Sequence, residues 1–444
     1  MLRRLLSSFV VLGLVLAVAR PAAAEFPLKD GDVWVMAGDS ITAQHLHSNY
    51  FEAFCFARYP NLKFAFRNSG VGGHTIPTTL ARFDYDIAAW KPTVISVELG
   101  MNDQGGTPTD KFIANMRTML ERIGSVSARP VILTASPVND GTAPPKTTTQ
   151  NRRLSEYAVE LKKLAEERKI PFADQFHPLV VIWAKNKPDE LRFNAVRDVK
   201  TALALPELAG KDHLQAFLEV QAKQPKQPLT MQGDPVHPGP NGQLMMAAEL
   251  LKGLGAEGFV SSATLDASGK LVEAKGCTVT DVKSEGGKLT FSRLDESLPF
   301  PIPDGTLDVL PLDPTIEEMS RYMLKIDGLK PGDYTVTIGG GLLATKFTAD
   351  ELAKGVNLTA TAHTIGEGSK ANPILLQSRA IHQAVGGKAG LVGQWRTYSR
   401  QMHESQLDNK QKIKDLEPQI AAADERIRAA AKPTKLQFEI SPAK

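Results

Sequence analysis

The sequence contains only two cysteines among its 444 residues, Cys55 and Cys277. Two thiols cannot supply the three or four ligands of a zinc site built on cysteine, and they allow at most one disulfide. They lie far apart along the chain, and two buried free thiols fit the count at least as well as one bridge. We therefore expect no metal site built on cysteine and leave the pairing of the two thiols open.

The sequence also lacks an excess of charge of one sign. It has 52 lysines and arginines against 49 aspartates and glutamates, a net charge of +3. No basic stretch interleaves with aromatic residues, as is typical of proteins that bind nucleic acid. Nucleic acid is therefore not an expected partner.

Beyond its first residues the sequence has no apolar run long enough to cross a bilayer. Residues 1–4 are basic, residues 5–18 are mostly apolar, and an Ala-x-Ala pattern precedes Glu25. This order is typical of a secretory signal peptide. The sequence therefore predicts a signal peptide over residues 1–24 and a secreted or periplasmic protein without stable membrane insertion.

Short apolar runs alternate with longer amphipathic stretches in the first half of the chain. Strands are predicted at 33–37, 63–66, 94–99, 131–135 and 170–173. Alternation of this kind favours a parallel sheet with helices on both faces. We predict a three-layer α/β/α sandwich over residues 25–260, interrupted by a mostly helical insertion at 175–231.

The character of the chain changes near Ser261. The runs 278–282 and 288–291 flank Glu285-Gly286-Gly287, a hairpin signal, and the runs 322–326 and 334–338 flank a second turn. A small antiparallel β region is predicted over residues 261–345, followed by a mostly helical extension over 346–444. Its stretch 395–431 lacks a sustained apolar heptad, which favours packing on the same chain or solvation over a coiled-coil partner.

A serine lies where the first predicted strand ends and a helix begins, in Gly38-Asp39-Ser40-Ile41. Ligands bind at the carboxyl edge of open α/β sheets, and the free N–H groups of a helix start can stabilise a developing negative charge. Both features suit a nucleophile. On this stretch alone, a simple helix cap explains Ser40 better.

Three further loops offer the groups that a serine nucleophile needs. The loop 68–75 is dense in glycine, which lets backbone N–H groups approach a ligand, but its spacing fits neither a Walker nor a dinucleotide motif. Asn102 follows the third strand, and its amide can donate to an oxyanion. Asp234 lies three residues before His237 and can orient that imidazole.

Taken together and in this order, the four loops resemble the four sequence blocks of the SGNH (GDSL-type) hydrolases. The resemblance covers residues from about 32 to 255. It implies Ser40 as the nucleophile, His237 as the base and Asp234 as its orienting carboxylate. It also implies an oxyanion hole made by the N–H groups of Ser40 and Gly73 and the amide of Asn102. We expect no metal and no cofactor.

Several alternatives stay open at this point. Gly70 or Gly72 could replace Gly73 as the donor, and His74 and His177 could face the cleft, whereas His45 and His47 lack a third metal ligand. The expected partner is a small-molecule or polysaccharide ester, and export together with family habit favours acetyl esters of carbohydrates. A lipase or lysophospholipase, suggested by the apolar run 180–183, and a carbohydrate-binding protein without activity are the rival interpretations. The sequence does not indicate an oligomeric state.

Overall fold

The computed structural model describes residues 25–139, 149–185, 190–222, 231 and 233–443. The predicted signal peptide lies outside these residues, as does part of the predicted insertion. Within the described ranges, no helix is long and apolar enough to cross a membrane.

Five parallel strands form the central sheet, in the order β2-β1-β3-β4-β5. They are β1 (Asp32–Gly38), β2 (Phe64–Gly70), β3 (Val94–Glu98), β4 (Arg129–Leu133) and β5 (Phe172–Ala173). Helices cover both faces, so that all of β3 and most of β1 are buried, and this explains their continuous apolar runs. The predicted sandwich is confirmed, and each predicted strand overlaps an observed one.

The helices of this unit flank the sheet in two groups. They are α1 (Ser40–Ala43), α2 (His47–Arg58), α3 (Ile76–Ala81), α4 (Thr109–Ser125), α5 (Thr149–Arg168), α6 (Phe176–Lys185), α7 (Glu190–Leu203), α8 (Lys211–Ala222) and α9 (Pro240–Gly253). Helix α2 packs against α9, whereas α4 packs against α3 and α5. The apolar stripe predicted for α4 is buried as expected, at Phe112, Met116, Met119, Leu120 and Ile123.

The predicted insertion contains α6, α7 and α8 among its described residues. The apolar run that suggested a lipid-binding cleft lies on α6. Ile182 and Trp183 are buried in the main core, and only Val181 of this run is largely exposed, at 57%. The run therefore packs inside the protein more than it faces solvent.

Two further sheets follow. The first has the order β13-β10-β6-β7 and the second β12-β11-β14-β9-β8. Their strands are β6 (Phe259–Asp266), β7 (Leu271–Lys275), β8 (Cys277–Glu285), β9 (Lys288–Asp295), β10 (Arg321–Asp327), β11 (Asp333–Ile338), β12 (Gly341–Thr348), β13 (Val356–Asn357) and β14 (Leu436–Pro442). Short helices α10 (Thr315–Glu318), α11 (Ala349–Lys354) and α12 (Thr359–Ala362) lie between them.

The β region differs from the expectation in its connections. The hairpin β8–β9 forms at the predicted turn, where Gly286 and Gly287 have φ of +58° and +78°. The second predicted turn instead joins strands of different sheets, and β10 pairs in parallel with β6. The last strand, β14, was not predicted. It lies between β9 and β11, so the end of the chain completes the second sheet.

Two long helices form most of the C-terminal extension, α13 (Pro373–Glu404) and α14 (Lys410–Ala430). They pack against each other and on α2 of the α/β unit. Buried ion pairs join the two parts: Lys388 of α13 contacts Glu52, and Asp424 of α14 contacts Arg67 at 2.8 Å. The extension is therefore fixed to the α/β unit by charges that are costly to separate.

The two cysteines are both buried and both free. Cys55 lies in α2, and Cys277 begins β8, where its thiol is 3.3 Å from the carbonyl oxygen of Ser262. Burial raises the pKa of both thiols. Neither is placed to react as a thiolate.

Candidate active site

Ser40 begins α1 directly after β1, at the carboxyl edge of the sheet. The Asp39 carboxylate accepts a hydrogen bond of 3.0 Å from the N–H of Ile41 and so caps this short helix. Within the described residues the N–H of Ser40 has no acceptor. The helix cap is thus supplied by Asp39, which leaves the Ser40 hydroxyl available for other contacts.

The glycine loop lies beside this helix because its glycines permit a close approach. A Cβ at Gly70 would lie 2.5 Å from the backbone nitrogen of Ala43, and a Cβ at Gly72 would lie 3.9 Å from the Ser40 Cβ. Gly73 has φ of +75°, a conformation that favours glycine. Within the described residues the N–H groups of Gly72 and Gly73 have no acceptor. Two free donors therefore lie on the loop next to the serine.

Asn102 follows β3 and is half-buried. Its Nδ2 donates a hydrogen bond of 3.1 Å to the carbonyl oxygen of His74, which ties the asparagine to the end of the glycine loop. The neighbouring Asp103 accepts a 3.2 Å hydrogen bond from the N–H of Ile76. An amide group has two N–H donors, so Asn102 keeps one for a ligand.

The histidine loop reaches the serine from the other side. His237 Nε2 lies 2.8 Å from Ser40 Oγ, and His237 Nδ1 lies 2.9 Å from Asp234 Oδ2. Asp234 Oδ1 also accepts the N–H groups of Val236 and His237, at 2.8 and 2.7 Å. The backbone N–H of His237 is the main reason that the pKa of Asp234 is lowered. The carboxylate therefore stays ionised beside the imidazole.

A buried polar group at the start of α2, next to the histidine loop, was not predicted. His47 Nε2 is 2.9 Å from Glu98, and His47 Nδ1 is 2.9 Å from the side-chain oxygen of Gln243. Burial alone would lower the pKa of His47, but the Glu98 carboxylate outweighs it and raises that pKa. Gln243 Nε2 donates to the carbonyl oxygen of Pro238 at 2.7 Å, so this group supports the chain next to His237.

A second buried group contains two arginines that share one carboxylate. Asp86 pairs with Arg82 and, at 2.6 Å, with Arg396 of α13. The side chains of Arg82, Asp86 and Arg396 are 4%, 5% and 16% exposed. Arg396 lies 310 positions from Asp86 in the sequence, so this arginine could not be associated with the site from spacing.

The two arginines hold the segments that carry the free N–H donors. Arg82 donates to the Gly38 carbonyl oxygen at 3.4 Å and to His74 Nδ1 at 3.2 Å. Arg396 donates to the Gly70 carbonyl oxygen at 3.1 Å. Gly38 precedes the serine, and Gly70 and His74 bracket the glycine loop. The C-terminal extension thus contributes directly to the support of this side of the site.

The other histidines considered from the sequence lie elsewhere. His45 is half-buried with φ of +58°, and His47 is buried in the polar group described above. His177 Nδ1 is 2.6 Å from Asp174, three residues earlier, and its Nε2 is 3.1 Å from Ser155 Oγ. His177 thus repeats the Asp-x-x-His spacing, but its second ring nitrogen, Nε2, contacts Ser155 and not Ser40.

Comparison with known proteins agrees with this arrangement. Residues 36–244 match the model of the GDSL-like lipase/acylhydrolase family. An acetylxylan esterase from Geobacillus stearothermophilus is 26% identical over 129 residues, 27% of this chain and 57% of that protein. The match therefore spans little more than half of the length of this curated relative.

Two solved structures align with this chain. A gut microbial diltiazem-metabolizing enzyme is 22% identical and aligns with a TM-score of 0.70, over 95% of this chain and 100% of that one. This alignment shows that the two proteins share the fold of nearly the whole chain, including the C-terminal extension. The crystal structure of the Geobacillus stearothermophilus acetylxylan esterase aligns with a TM-score of 0.37 and 20% identity, over 52% of this chain and 96% of that one.

The family match covers the end of the strand that leads to Ser40, the glycine loop, the Asn102 loop and the histidine loop. Residues 36–244, a little under half of the chain, match the GDSL-like lipase/acylhydrolase family, and the α/β unit that they form has the sequence pattern of an ester hydrolase of the SGNH type.

Proposed function

We propose that this protein hydrolyses carboxylic esters through an acyl-enzyme formed on Ser40. The observation that carries the proposal is the chain of two contacts from Ser40 Oγ to His237, at 2.8 Å, and from His237 to Asp234, at 2.9 Å. A neutral hydroxyl is a poor nucleophile, so a base within hydrogen-bond reach must take its proton as it attacks. His237 takes that proton, and Asp234 stabilises the imidazolium that forms.

The negative charge that develops on the carbonyl oxygen needs donors that are already in place. The N–H groups of Ser40 and Gly73 and the second N–H of Asn102 supply them in our proposal. Gly72 has an equally free N–H and lies nearer to Ser40, so it is the alternative donor on the loop. Collapse of the intermediate releases the alcohol, protonated by His237. Water then attacks the acyl-enzyme with His237 again as the base, which releases the acid and restores Ser40.

We further propose that the natural substrates are acetyl esters of carbohydrates. The relative that is 26% identical is an acetylxylan esterase, which favours this class. The apolar run 180–183 points mostly into the core, so it gives little support to a wide acyl-lipid cleft. The basic start, apolar stretch and Ala-x-Ala site of residues 1–24 support export to a secreted or periplasmic location. N-terminal sequencing of the mature protein, expected to begin at Glu25, tests that last point.

Hydrolysis of p-nitrophenyl acetate by the purified mature protein tests the central proposal. We expect turnover by the wild type and its loss in Ser40→Ala. The matched control is Ser125→Ala, because Ser125 is an exposed serine at the end of α4. Turnover that persists in Ser40→Ala would refute the assignment of the nucleophile. A rate that falls steeply from acetyl to longer acyl chains is expected, and the reverse order would favour the lipase interpretation.

A further inference from the structure

A groove lies along the glycine loop and Ala43, three residues after Ser40, and is closed on its far side by the C-terminal extension. It has a volume of about 520 Å³. One wall is the glycine loop, including Gly72, whose backbone is next to Ser40. The opposite wall is α13, which contributes Arg396, Arg400 and Glu404. This second wall lies outside the residues that match the family model, so the groove is a feature of the longer chain.

The size of the groove indicates which part of a substrate enters it. An acetyl group has two carbons and cannot fill a volume of about 520 Å³. Ligand sites bury most of the ligand that they bind. If acetyl esters are the substrates, as proposed above, then the alcohol part is the larger one and is the part that this groove accommodates.

The charges around the groove are not balanced. Three of its lining residues are arginines, Arg82, Arg396 and Arg400, and two are acidic, Asp86 and Glu404. The buried part holds two guanidinium groups and one carboxylate, so a surplus positive charge lies behind the groove wall, where water screens it little. Burial and, after it, the positive charge of Arg82 lower the pKa of His74.

The rim of the groove carries an exposed arginine that only a long ion pair holds. The side chain of Arg400 is 59% exposed, and its Nε is 4.0 Å from Glu404, within ion-pair distance but too far for a hydrogen bond. Glu404 Oε1 instead accepts a 2.8 Å hydrogen bond from the Tyr85 hydroxyl. A planar guanidinium group in this position can form paired hydrogen bonds with a carboxylate.

We propose that the groove binds an alcohol part that bears a carboxylate, so that the preferred substrates are acetyl esters of acidic sugars such as uronic acids. Arg400 contacts the carboxylate at the rim, and the buried arginines attract it from behind the wall. Glu404 opposes the binding of an anion and limits the affinity. This proposal rests on the proposed ester hydrolysis at Ser40.

The test compares two esters that differ only in the carboxylate: a mono-O-acetylated methyl glucuronide and the mono-O-acetylated methyl glucoside, acetylated at the same position. We expect kcat/KM to be about three- to tenfold higher for the glucuronide at low ionic strength. The ratio should fall towards one at 0.5 M NaCl, because salt screens exposed charges. A ratio of one or less at low salt would overturn the proposal.

Charge variants locate the effect within the groove. Arg400→Gln should lower the ratio of the two kcat/KM values, and Glu404→Gln should raise it. The matched control is Arg426→Gln, which removes the same charge from an exposed position on α14 that does not line the groove. Equal effects of Arg400→Gln and Arg426→Gln would show that net charge alone, and not this groove, sets the preference, and would overturn the proposal.

A binding measurement separates this proposal from the proposed hydrolysis. Calorimetric titration of the Ser40→Ala protein with each ester gives dissociation constants that do not depend on turnover. The groove proposal is supported if Ser40→Ala binds the glucuronide more tightly than the glucoside and if adding Arg400→Gln weakens that binding. This result would hold even if the wild type failed to cleave p-nitrophenyl acetate. Equal binding of the two esters by the Ser40→Ala protein, when the wild type does cleave p-nitrophenyl acetate, would overturn the groove proposal alone.

Discussion

The two sides of the candidate active site are built in contrasting ways. On the histidine side, the side chains of His237 and Asp234 are 32% and 59% exposed, and the contacts that join these two residues lie within one loop. On the oxyanion side, the supporting side chains of Arg82, Asp86 and Arg396 are nearly buried and come from both ends of the chain. Proton transfer thus depends on a local loop, whereas the alignment of the donors depends on tertiary packing.

This contrast predicts different responses to substitution. A change on the histidine side should remove the chemistry and leave the fold intact, because exposed loops contribute little to stability. A change in the buried support should alter the position of the donors and also cost stability, because it leaves a charge without its partner.

The largest effect is expected at the histidine. His237→Ala should lower kcat on p-nitrophenyl acetate by about 10⁴-fold or more, since loss of the base in a serine hydrolase is nearly as costly as loss of the nucleophile. Steady-state kinetics measure this. His177→Ala is the matched control, because His177 also pairs with an aspartate three residues earlier but contacts Ser155. Similar losses in both variants would mean that His237 has no special role.

The two Asp-x-x-His pairs also show what the sequence can and cannot reveal. Both spacings are visible in the sequence, and only the ordered set of four blocks selects His237 over His177. The blocks were recognisable because each is a short local pattern at the end of a strand. Glu98 and Gln243 carry no such pattern. Their contacts with His47 exist only after α2 has packed beside the end of β3, which holds Glu98, and against α9, which holds Gln243.

The fold shows the same difference between local and long-range signals. The five buried strands were predictable because apolar runs and helical stripes are local signals. The strand β14 was missed because the polar stretch before it favoured continued helix. Its place between β9 and β11 is set by pairing across about 100 to 150 residues. Arg396 was missed for a related reason, since nothing near it in the sequence indicates Asp86.

The next largest effect is expected on the oxyanion side itself. Asn102→Ala should lower kcat by about 10²- to 10³-fold with little change in KM, because the amide is proposed to act on charge that develops only in the transition state. The two kinetic constants on p-nitrophenyl acetate separate these possibilities. A rise in KM at unchanged kcat would show that Asn102 binds the substrate and does not stabilise the oxyanion.

A smaller effect is expected from the buried support. Arg396→Gln should lower kcat on p-nitrophenyl acetate by about tenfold, because a displacement of the Gly70 segment misplaces the loop donors. Arg67→Gln is the control: it breaks another buried pair with the C-terminal helices, and the Arg67 guanidinium donates to Asp424 and the Phe66 carbonyl oxygen rather than to the glycine loop. We expect both variants to melt at lower temperature, whereas only Arg396→Gln should lose activity at temperatures where both are folded. Equal activity of Arg396→Gln and Arg67→Gln would show that Arg396 does not position the oxyanion donors, and the contrast between the histidine side and the oxyanion side would not hold.

The smallest effect is expected on the free energy of unfolding and its dependence on pH, which differs between the two aspartates of the site. The pKa of Asp234 is lowered, whereas burial raises the pKa of Asp39 from 3.8 to about 7. The folded protein therefore binds a proton at Asp39 more tightly than the unfolded chain does, and this residue makes stability fall as the pH rises from about 4 to 7. An asparagine amide cannot ionise, so Asp39→Asn should gain stability relative to the wild type with rising pH, by about 1 to 2 kcal/mol between about pH 5.5 and 7.5. Urea unfolding of both proteins at each pH measures the gain, and a constant or decreasing difference would contradict the assignment.

An activated hydroxyl at Ser40, with His237 as its base, is the centre of the proposed mechanism. Treatment with a fluorophosphonate, followed by peptide mass spectrometry, tests this directly because the reagent labels serines that a neighbouring base activates. We predict a single adduct on Ser40 in the wild type, and labelling at least a hundredfold slower in His237→Ala. An adduct on another residue, or equally fast labelling without His237, would contradict the account.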